Sequence, residues 1–333
     1  MFRLNQTGMK GPLISCLTLI ALIISLNVQA GSDQIAKQWL ERMIQAVHNL
    51  EYQGTFIHLH DNQLETMQIV HALKDGKLQE RLISLNGAPR EVIRDHTSVT
   101  CVMPESEQVS VDKRPLGGKF LALLPEELDK LDAYYMFKLL GKGRVAGRAA
   151  KVVAIIPMDG YRYGYRFFVD EDSALPLKSD LMNERGKAVE QTMFTHLEVG
   201  VADTKELQDE LLEAHQPFQI KAAKQLSKNP LKPTGTNWEF QKLPKGFSVN
   251  TRNLLPDPDG NKMVEQYVLS DGLASLSVFI ERPDQDDESL NGVSRLGAIN
   301  AWGGKMEGYQ VTAVGEVPAV TLLDVVDSMR LKR

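Results

Sequence analysis

Few residues in this chain have the type and spacing to do chemistry. His58-Leu-His60 would put two imidazoles on one face of a strand, which is half of a metal site at most. His71 would lie near the far end of the neighbouring strand, and no cysteine or acid cluster joins the three, so a structural or surface role is expected for each. Gly141-Lys-Gly-Arg-Val-Ala-Gly147 has the composition of a phosphate-cradling loop. Its spacing is G-x-G-x-x-x-G, however, and strand-like Ala149 to Ile156 follows, where a dinucleotide fingerprint needs a helix. It reads as a turn. Asp170-Glu-Asp172 and Asp284 to Glu288 lack calcium-loop spacing and read as solvated loops. No G-x-S-x-G, H-E-x-x-H or P-loop is present. The expectation is a protein without catalytic residues, metal or cofactor.

The elements that would position such residues are mostly strands. Tyr52 to His60 and Leu64 to Leu73 are strand-like runs around Asp61-Asn62-Gln63. Asp75-Gly76 turns into Lys77 to Leu85, Asn86-Gly87 into Arg90 to Asp95, and Val99 to Met103 and Gln108 to Asp112 continue the pattern. Short strands punctuated this way predict an antiparallel meander. If the first hairpin is symmetric about Asn62, then Thr55, Ile57, Leu59, Met67 and Ile69 share one face. Ser32 to Leu50 precedes the meander as an amphipathic helix carrying Ile35, Trp39, Met43, Val47 and Leu50, capped by Ser32 or Asp33. Together they predict a curved sheet wrapped over a helix.

A helix is expected over Glu126 to Leu140, followed by strands at Lys151 to Ile156, Tyr161 to Val169, Leu177 to Met182 and Val189 to Leu197. Tyr161, Tyr163, Tyr165 and Phe167 alternate with Arg162, Gly164, Arg166 and Phe168, an aromatic stripe that reads as a sheet face. A short helix is expected over Asp203 to Ala214. The second unit, 238–333, is centred on Tyr267 to Glu281, where Asp271-Gly272 predicts a two-residue type I′ hairpin turn. Leu276, Val278 and Ile280 alternate with Ser275, Ser277 and Phe279. Strands at Ala298 to Trp302 and Tyr309 to Val314 and a closing helix at Val317 to Met329 complete a small α+β domain.

The first thirty residues read as a secretory leader. Arg3 and Lys10 precede an apolar run from Leu13 to Leu26, and Val28-Gln29-Ala30 offers a cleavage site after Ala30. The run is shorter than the ~20 residues of a membrane span. Cleavage removes Cys16 and leaves Cys101, so no intrachain disulfide can form; Cys101, in Val99-Thr-Cys-Val-Met103, reads as a small core residue. The formal net charge of −5 includes the leader's two cations. The remainder is more acidic still, which argues against nucleic-acid binding. The chain thus divides into a leader (1–30), a first domain (31–214), a linker (215–237) and a second domain (238–333). The linker holds Pro217, Pro230, Pro233 and Gly235, and its cations Lys221, Lys224, Lys228 and Lys232 have no acid among them, so they could meet an anionic lipid.

Several strings in the chain match a known family. They are Tyr52-Gln-Gly-Thr-Phe56, Arg144-Val-Ala-Gly-Arg148, Pro157 with Asp159, Arg162-Tyr163 with Tyr165, and Leu175-Pro-Leu177. In the second unit they are Ser270-Asp-Gly-Leu-Ala-Ser-Leu-Ser-Val-Phe-Ile-Glu281, Gly297-Ala298 with Asn300-Ala301, and Val314-Gly-Glu-Val-Pro318. Through them the chain resembles the RseB/MucB family of periplasmic sigma-E factor regulatory proteins over nearly its whole mature length. The resemblance implies a LolA/LolB-like half-barrel over helices, with an apolar cavity, plus a smaller partner-binding domain. It implies a periplasmic negative regulator that binds the periplasmic part of a membrane-anchored anti-sigma factor, shields it from site-1 proteolysis, and is released by lipopolysaccharide or misplaced lipoprotein. No catalytic residue of the family is there to carry over. Phe56, Met67 and Ile69 are candidates for the cavity face, and Trp302 and Tyr309 for the partner surface, with core packing the competing role for each. Self-association stays open. The rival readings are a lipid or lipoprotein carrier, which would not need residues 238–333, and a periplasmic hydrolase, which would need titratable groups converging in a cleft.

Overall fold

A helix with one apolar stripe must bury it, and here it does so against a sheet. The computed structural model describes residues 33–95, 97–103, 108–112, 124–125, 127–202, 219–222, 238–256, 262–283 and 291–332. Helix α1, residues 33–49, buries Ala36, Leu40, Met43, Ile44 and Val47. The stripe is rotated slightly from the one expected, since Ile35 is exposed and Ala36 takes its place. The helix packs into one core with residues from both halves of a 12-stranded sheet, so the sheet curves around it. The leader, residues 203–214 and Asp284 to Glu288 lie outside the described residues.

The sheet is built from β1 (Tyr52–His60), β2 (Gln63–Lys74), β3 (Lys77–Ser84), β4 (Glu91–Asp95), β5 (Val99–Met103), β6 (Gln108–Asp112), β7 (Tyr135–Val145), β8 (Arg148–Pro157), β9 (Gly164–Asp170), β10 (Pro176–Met182), β11 (Ala188–Val199) and β12 (Gln219–Ala222). Their spatial order is β12-β6-β5-β4-β3-β2-β1-β11-β10-β9-β8-β7, which leaves β1 joining two meanders. Every pair is antiparallel except β12 with β6, where a piece of the expected linker runs parallel to the sheet edge.

Several local expectations fail for identifiable reasons. The first hairpin pairs His60 with Gln63 around Asp61 (φ 45°) and Asn62 (φ 61°), a two-residue turn and not a turn centred on Asn62. A one-residue change of register exchanges the faces of a strand. Phe56, and not Ile57, therefore sits opposite Met67, and Tyr52, Gly54 and Phe56 face the core while Thr55, Ile57 and Leu59 face away. The helix expected over Glu126 to Leu140 is a 3-10 turn at Leu128–Leu131 followed by β7, whose Tyr135 and Phe137 alternate inward. Gly141-Lys-Gly-Arg-Val-Ala-Gly147 is largely the end of that strand, and only Ala146 (φ 49°) and Gly147 (φ 77°) form the turn. Cys101 is half-buried. Asp170, expected in a solvated loop, is fully buried and holds its own turn: it accepts from Arg148 at 3.0 and 2.8 Å and from the Ser173 amide and hydroxyl at 2.9 and 2.6 Å. Burial alone would raise its pKa, but those hydrogen bonds hold it below the ordinary value.

The second domain comprises β13 (Trp238–Phe240), β14 (Ser248–Pro256), β15 (Met263–Ser270), β16 (Ser275–Glu281), β17 (Gly292–Leu296), β18 (Ile299–Met306), β19 (Tyr309–Gly315), α2 (Ala319–Asp327) and β20 (Met329–Leu331). A six-stranded sheet, β14-β15-β16-β19-β18-β17, carries Leu276, Val278 and Ile280 on its inner face under Leu322, Val325 and Val326 of α2. The short pair β13-β20 ties the two ends of the domain together, with Trp238 opposite Leu331.

Gly54 is demanded by this packing. A Cβ there would press on the His196 carbonyl oxygen and the Phe194 ring beside the β1–β11 irregularity at Thr55/Phe56. Gly54→Ala should destabilise the chain by about 2 kcal/mol in urea unfolding, whereas Gly160→Ala, which meets nothing within 4 Å, should leave the midpoint within error.

Candidate functional site

The Asp271-Gly272 turn is where the two domains meet. It is not the two-residue turn expected from its sequence: Ser270 pairs with Ser275, leaving Asp271–Ala274 as a four-residue loop. Asp271 keeps an ordinary φ, and only Gly272 (φ 102°) is left-handed. The loop is organised by one carboxylate. Asp271 Oδ1 accepts from the amides of Leu273 and Ala274 at 2.9 and 2.7 Å, an Asx-type turn. Oδ2 faces the other domain and accepts from the Tyr135 hydroxyl and from Arg162 Nη1, both at 2.8 Å.

Arg162 is fully buried, which an isolated guanidinium could not tolerate. Its other nitrogens donate to Asp159 (3.1 Å) and to the Lys245 carbonyl of the second domain (2.5 Å). The rings of Tyr134, Phe247 and Tyr135 lie 5.0, 5.2 and 5.4 Å from its guanidinium carbon, a cation–π cage supplied by both domains. Gly246 (φ 87°) permits this approach, since a Cβ there would strike the Tyr134 ring. Burial, then the adjacent Asp271 charge, pushes the Tyr135 phenol far above its usual range, so it stays a donor. Two further links flank the clasp: Asn300 Nδ2 donates to the Tyr163 hydroxyl at 3.0 Å, and Thr321 donates to the Tyr161 carbonyl at 2.6 Å. The segment 161–163, expected as strand, is thus a docking loop. Its alternation of aromatic and charged residues serves the partner domain and not a sheet.

Beside the clasp lies a cleft of about 650 Å³. Tyr165, Leu181, Glu190 and Thr192 form one wall; Leu273, Leu276, Ile299 and Glu316 form the other. Burial, then the Glu316 carboxylate across the cleft, raises the pKa of Tyr165. Behind the first wall, His58 Nε2 stands 3.1 Å from Glu190 and Nδ1 stands 2.9 Å from the Thr192 hydroxyl. A singly protonated ring satisfies both contacts, donating to the carboxylate and accepting from the hydroxyl. Burial, which outweighs the pull of Glu190, lowers the His58 pKa.

Among the residues singled out from sequence, Phe56, Met67 and Ile69 do come together, with Phe56 opposite Met67 and Ile69 on the same inner face, all within the first core. Trp302 and Tyr309 are both half-buried against the second core, Tyr309 edge-on to Trp238 at 5.9 Å. Lys221 lies on β12, and Lys224, Lys228 and Lys232 lie outside the described residues. His58 and His60 share a face with ring centroids 5.0 Å apart, and no metal-competent cluster occurs among the described residues. Sequence reasoning missed Tyr135, Arg162 and Asp271 as a unit. Arg162 and Asp271 both fall inside family-matching strings, which is the one signal the two share.

Removing one partner of a buried charge pair strands the other. Asp271→Ala should therefore cost about 3–5 kcal/mol in urea unfolding, and Arg162→Met combined with Asp271→Leu should cost less than Asp271→Ala alone. For His58 the sign follows from its lowered folded pKa: the unfolded ring, titrating near 6.5, binds the proton first as pH falls. The stability it contributes is complete above 6.5 and is lost on acidification through the folded value. The fall in thermal midpoint from neutral to mildly acid pH should be shallower in His58→Gln.

Comparison with known proteins accounts for both domains. Residues 35–227 match the MucB/RseB N-terminal domain and residues 232–330 the MucB/RseB C-terminal domain. The sigma factor AlgU regulatory protein MucB of Pseudomonas aeruginosa is 31% identical over 324 residues, covering 95% of this chain and 96% of that protein. The sigma-E factor regulatory protein RseB of Haemophilus influenzae is 27% identical over 95% of this chain and 98% of its own length. The solved complex of P. aeruginosa MucA and MucB superposes with a TM-score of 0.70 at 30% identity, covering 90% of this chain and 99% of that one; the crystal structure of MucB superposes at 0.59. With both domain matches in order along one chain, this protein belongs to the MucB/RseB family.

Proposed function

We propose that this chain is an exported negative regulator of a sigma-E-type envelope stress response. It acts by binding the periplasmic domain of a membrane-anchored anti-sigma factor and keeping a site-1 protease from it. The single observation that carries this reading is the cleft at the domain seam, walled by both domains and held open beside a buried clasp. A surface of that kind exists only while the domains are docked, which makes binding conditional on their arrangement. The reading is supported by a relative at 31% identity that has been crystallised with MucA(peri). No reaction is invoked: occlusion by binding suffices.

Release would follow from any ligand that prefers the undocked arrangement, because such a ligand and the partner couple negatively through the same equilibrium. A lipid or lipopolysaccharide fits that part. Its acyl portion would meet the first core near Phe56, Met67 and Ile69, and Lys221, Lys224, Lys228 and Lys232 would meet its anionic portion. Trp302 and Tyr309 are offered as partner contacts on the second domain. Export would use the leader ending at Ala30. The test is co-purification of the mature protein with the periplasmic domain of the cognate anti-sigma factor, followed by digestion with the site-1 protease. Binding and slowed cleavage are expected, and deletion of residues 238–333 should abolish both. A folded protein that neither binds nor protects would overturn the reading, and if lipid carriage then survived deletion of residues 238–333, a carrier would be favoured.

A further inference from the structure

We propose that the interdomain cleft selects a polypeptide segment bearing a lysine or arginine among apolar residues, and that Glu190 receives the cation. This rests on the reading above, that a partner segment binds at the seam, and adds what chemistry that segment carries.

The cleft supplies apolar surface on both walls through Leu181, Leu273, Leu276, Ile299 and Val314. The charged groups among its described lining residues are Glu190 and Glu316, and none of those residues is a lysine, arginine or histidine. The contact that orients Glu190 does not neutralise it. Glu190 is held by His58, whose imidazole burial keeps neutral at neutral pH. The remaining charges packed around Glu190 do not cancel it. His60, on the same strand as His58, and Glu65 on β2 face one another at 3.8 Å, and Arg90 is paired with Glu65 at 2.8 Å. Asp180 is on the other face of β10, against Arg166 and Lys178. Across the seam, the Asp271 charge is matched by Arg162.

A cation reaching Glu190 in this partly desolvated cleft meets a carboxylate that no lysine or arginine among the described residues pairs with, and an anion meets repulsion. The same carboxylate therefore discriminates against an anionic headgroup, which places any lipid phosphate elsewhere on the molecule.

The test uses the mature full-length protein and three short synthetic leucine/serine peptides that differ only at the centre: lysine, norleucine or glutamate. Binding measured by fluorescence anisotropy should rank lysine over norleucine over glutamate, with lysine favoured about tenfold over norleucine, roughly 1.4 kcal/mol. The preference should shrink to near unity in Glu190→Gln, with an unchanged thermal midpoint showing that the variant is folded; Glu190→Asp should retain part of it. Equal binding of the three peptides, absence of binding by all of them, or a lysine preference that survives Glu190→Gln would each overturn the proposal. The anti-sigma periplasmic domain is titrated in parallel. Its binding to wild type and to Glu190→Gln with equal affinity and equal salt dependence would sink this inference and leave the functional reading standing. Failure to bind wild type while the peptide ranking holds would do the reverse.

Discussion

One carboxylate does two jobs that the rest of the structure needs done together. Asp271 folds its own loop with one oxygen and holds the neighbouring domain with the other. A charge at that depth is tolerable only because Arg162 meets it, and Arg162 is tolerable only because Asp159, the Lys245 carbonyl and three aromatic rings complete its surroundings. The desolvation cost of the pair means it adds little to stability over a well-packed apolar substitute. What it provides is specificity: an apolar seam could slide, whereas a carboxylate with defined donors fits in one position. The cleft beside it inherits its shape from that position.

The electrostatic character of the molecule is divided accordingly. Ion pairs on the first domain such as Arg148–Asp170 and Arg166–Asp180 close on themselves and fix turns and strand neighbours. The cleft is different, since Glu190 on its wall is oriented by a neutral imidazole. Structural pairs and a receptive surface thus coexist on neighbouring strands, separated by the alternation of a sheet's two faces.

Much of the architecture was legible in the sequence because it rests on period. Two-residue alternation located β1 to β6 to within a residue or so, and the helical stripe located α1 and α2. Failures came where a short-range signal had a long-range owner. Tyr135 and Phe137 looked compatible with a helix until a neighbouring strand, β8, was there to pair with them. Asp61-Asn62 shifted a register because two left-handed residues in succession, not three, closed the turn. Asp271 was marked as turn chemistry, correctly, but its second oxygen answers to Arg162, 109 residues earlier in the chain. No local pattern encodes such a pairing. The candidate site was therefore nearly invisible except through the strings that carry the family resemblance, while the packed trio Phe56, Met67 and Ile69 could be picked out because burial, unlike partnership, leaves a periodic trace.

The parallel strand β12 has a consequence of its own. It pins the chain at the β6 edge of the large sheet, and the second domain begins at β13, a short stretch of chain later. Undocking therefore does not set the second domain free. It remains covalently tied to the edge of the large sheet, which raises its local concentration there. Reclosure is then a first-order event, independent of how dilute the protein is. Under the release proposed above, an opposing ligand would then need only to compete with a tethered neighbour, and its departure alone would reset the seam.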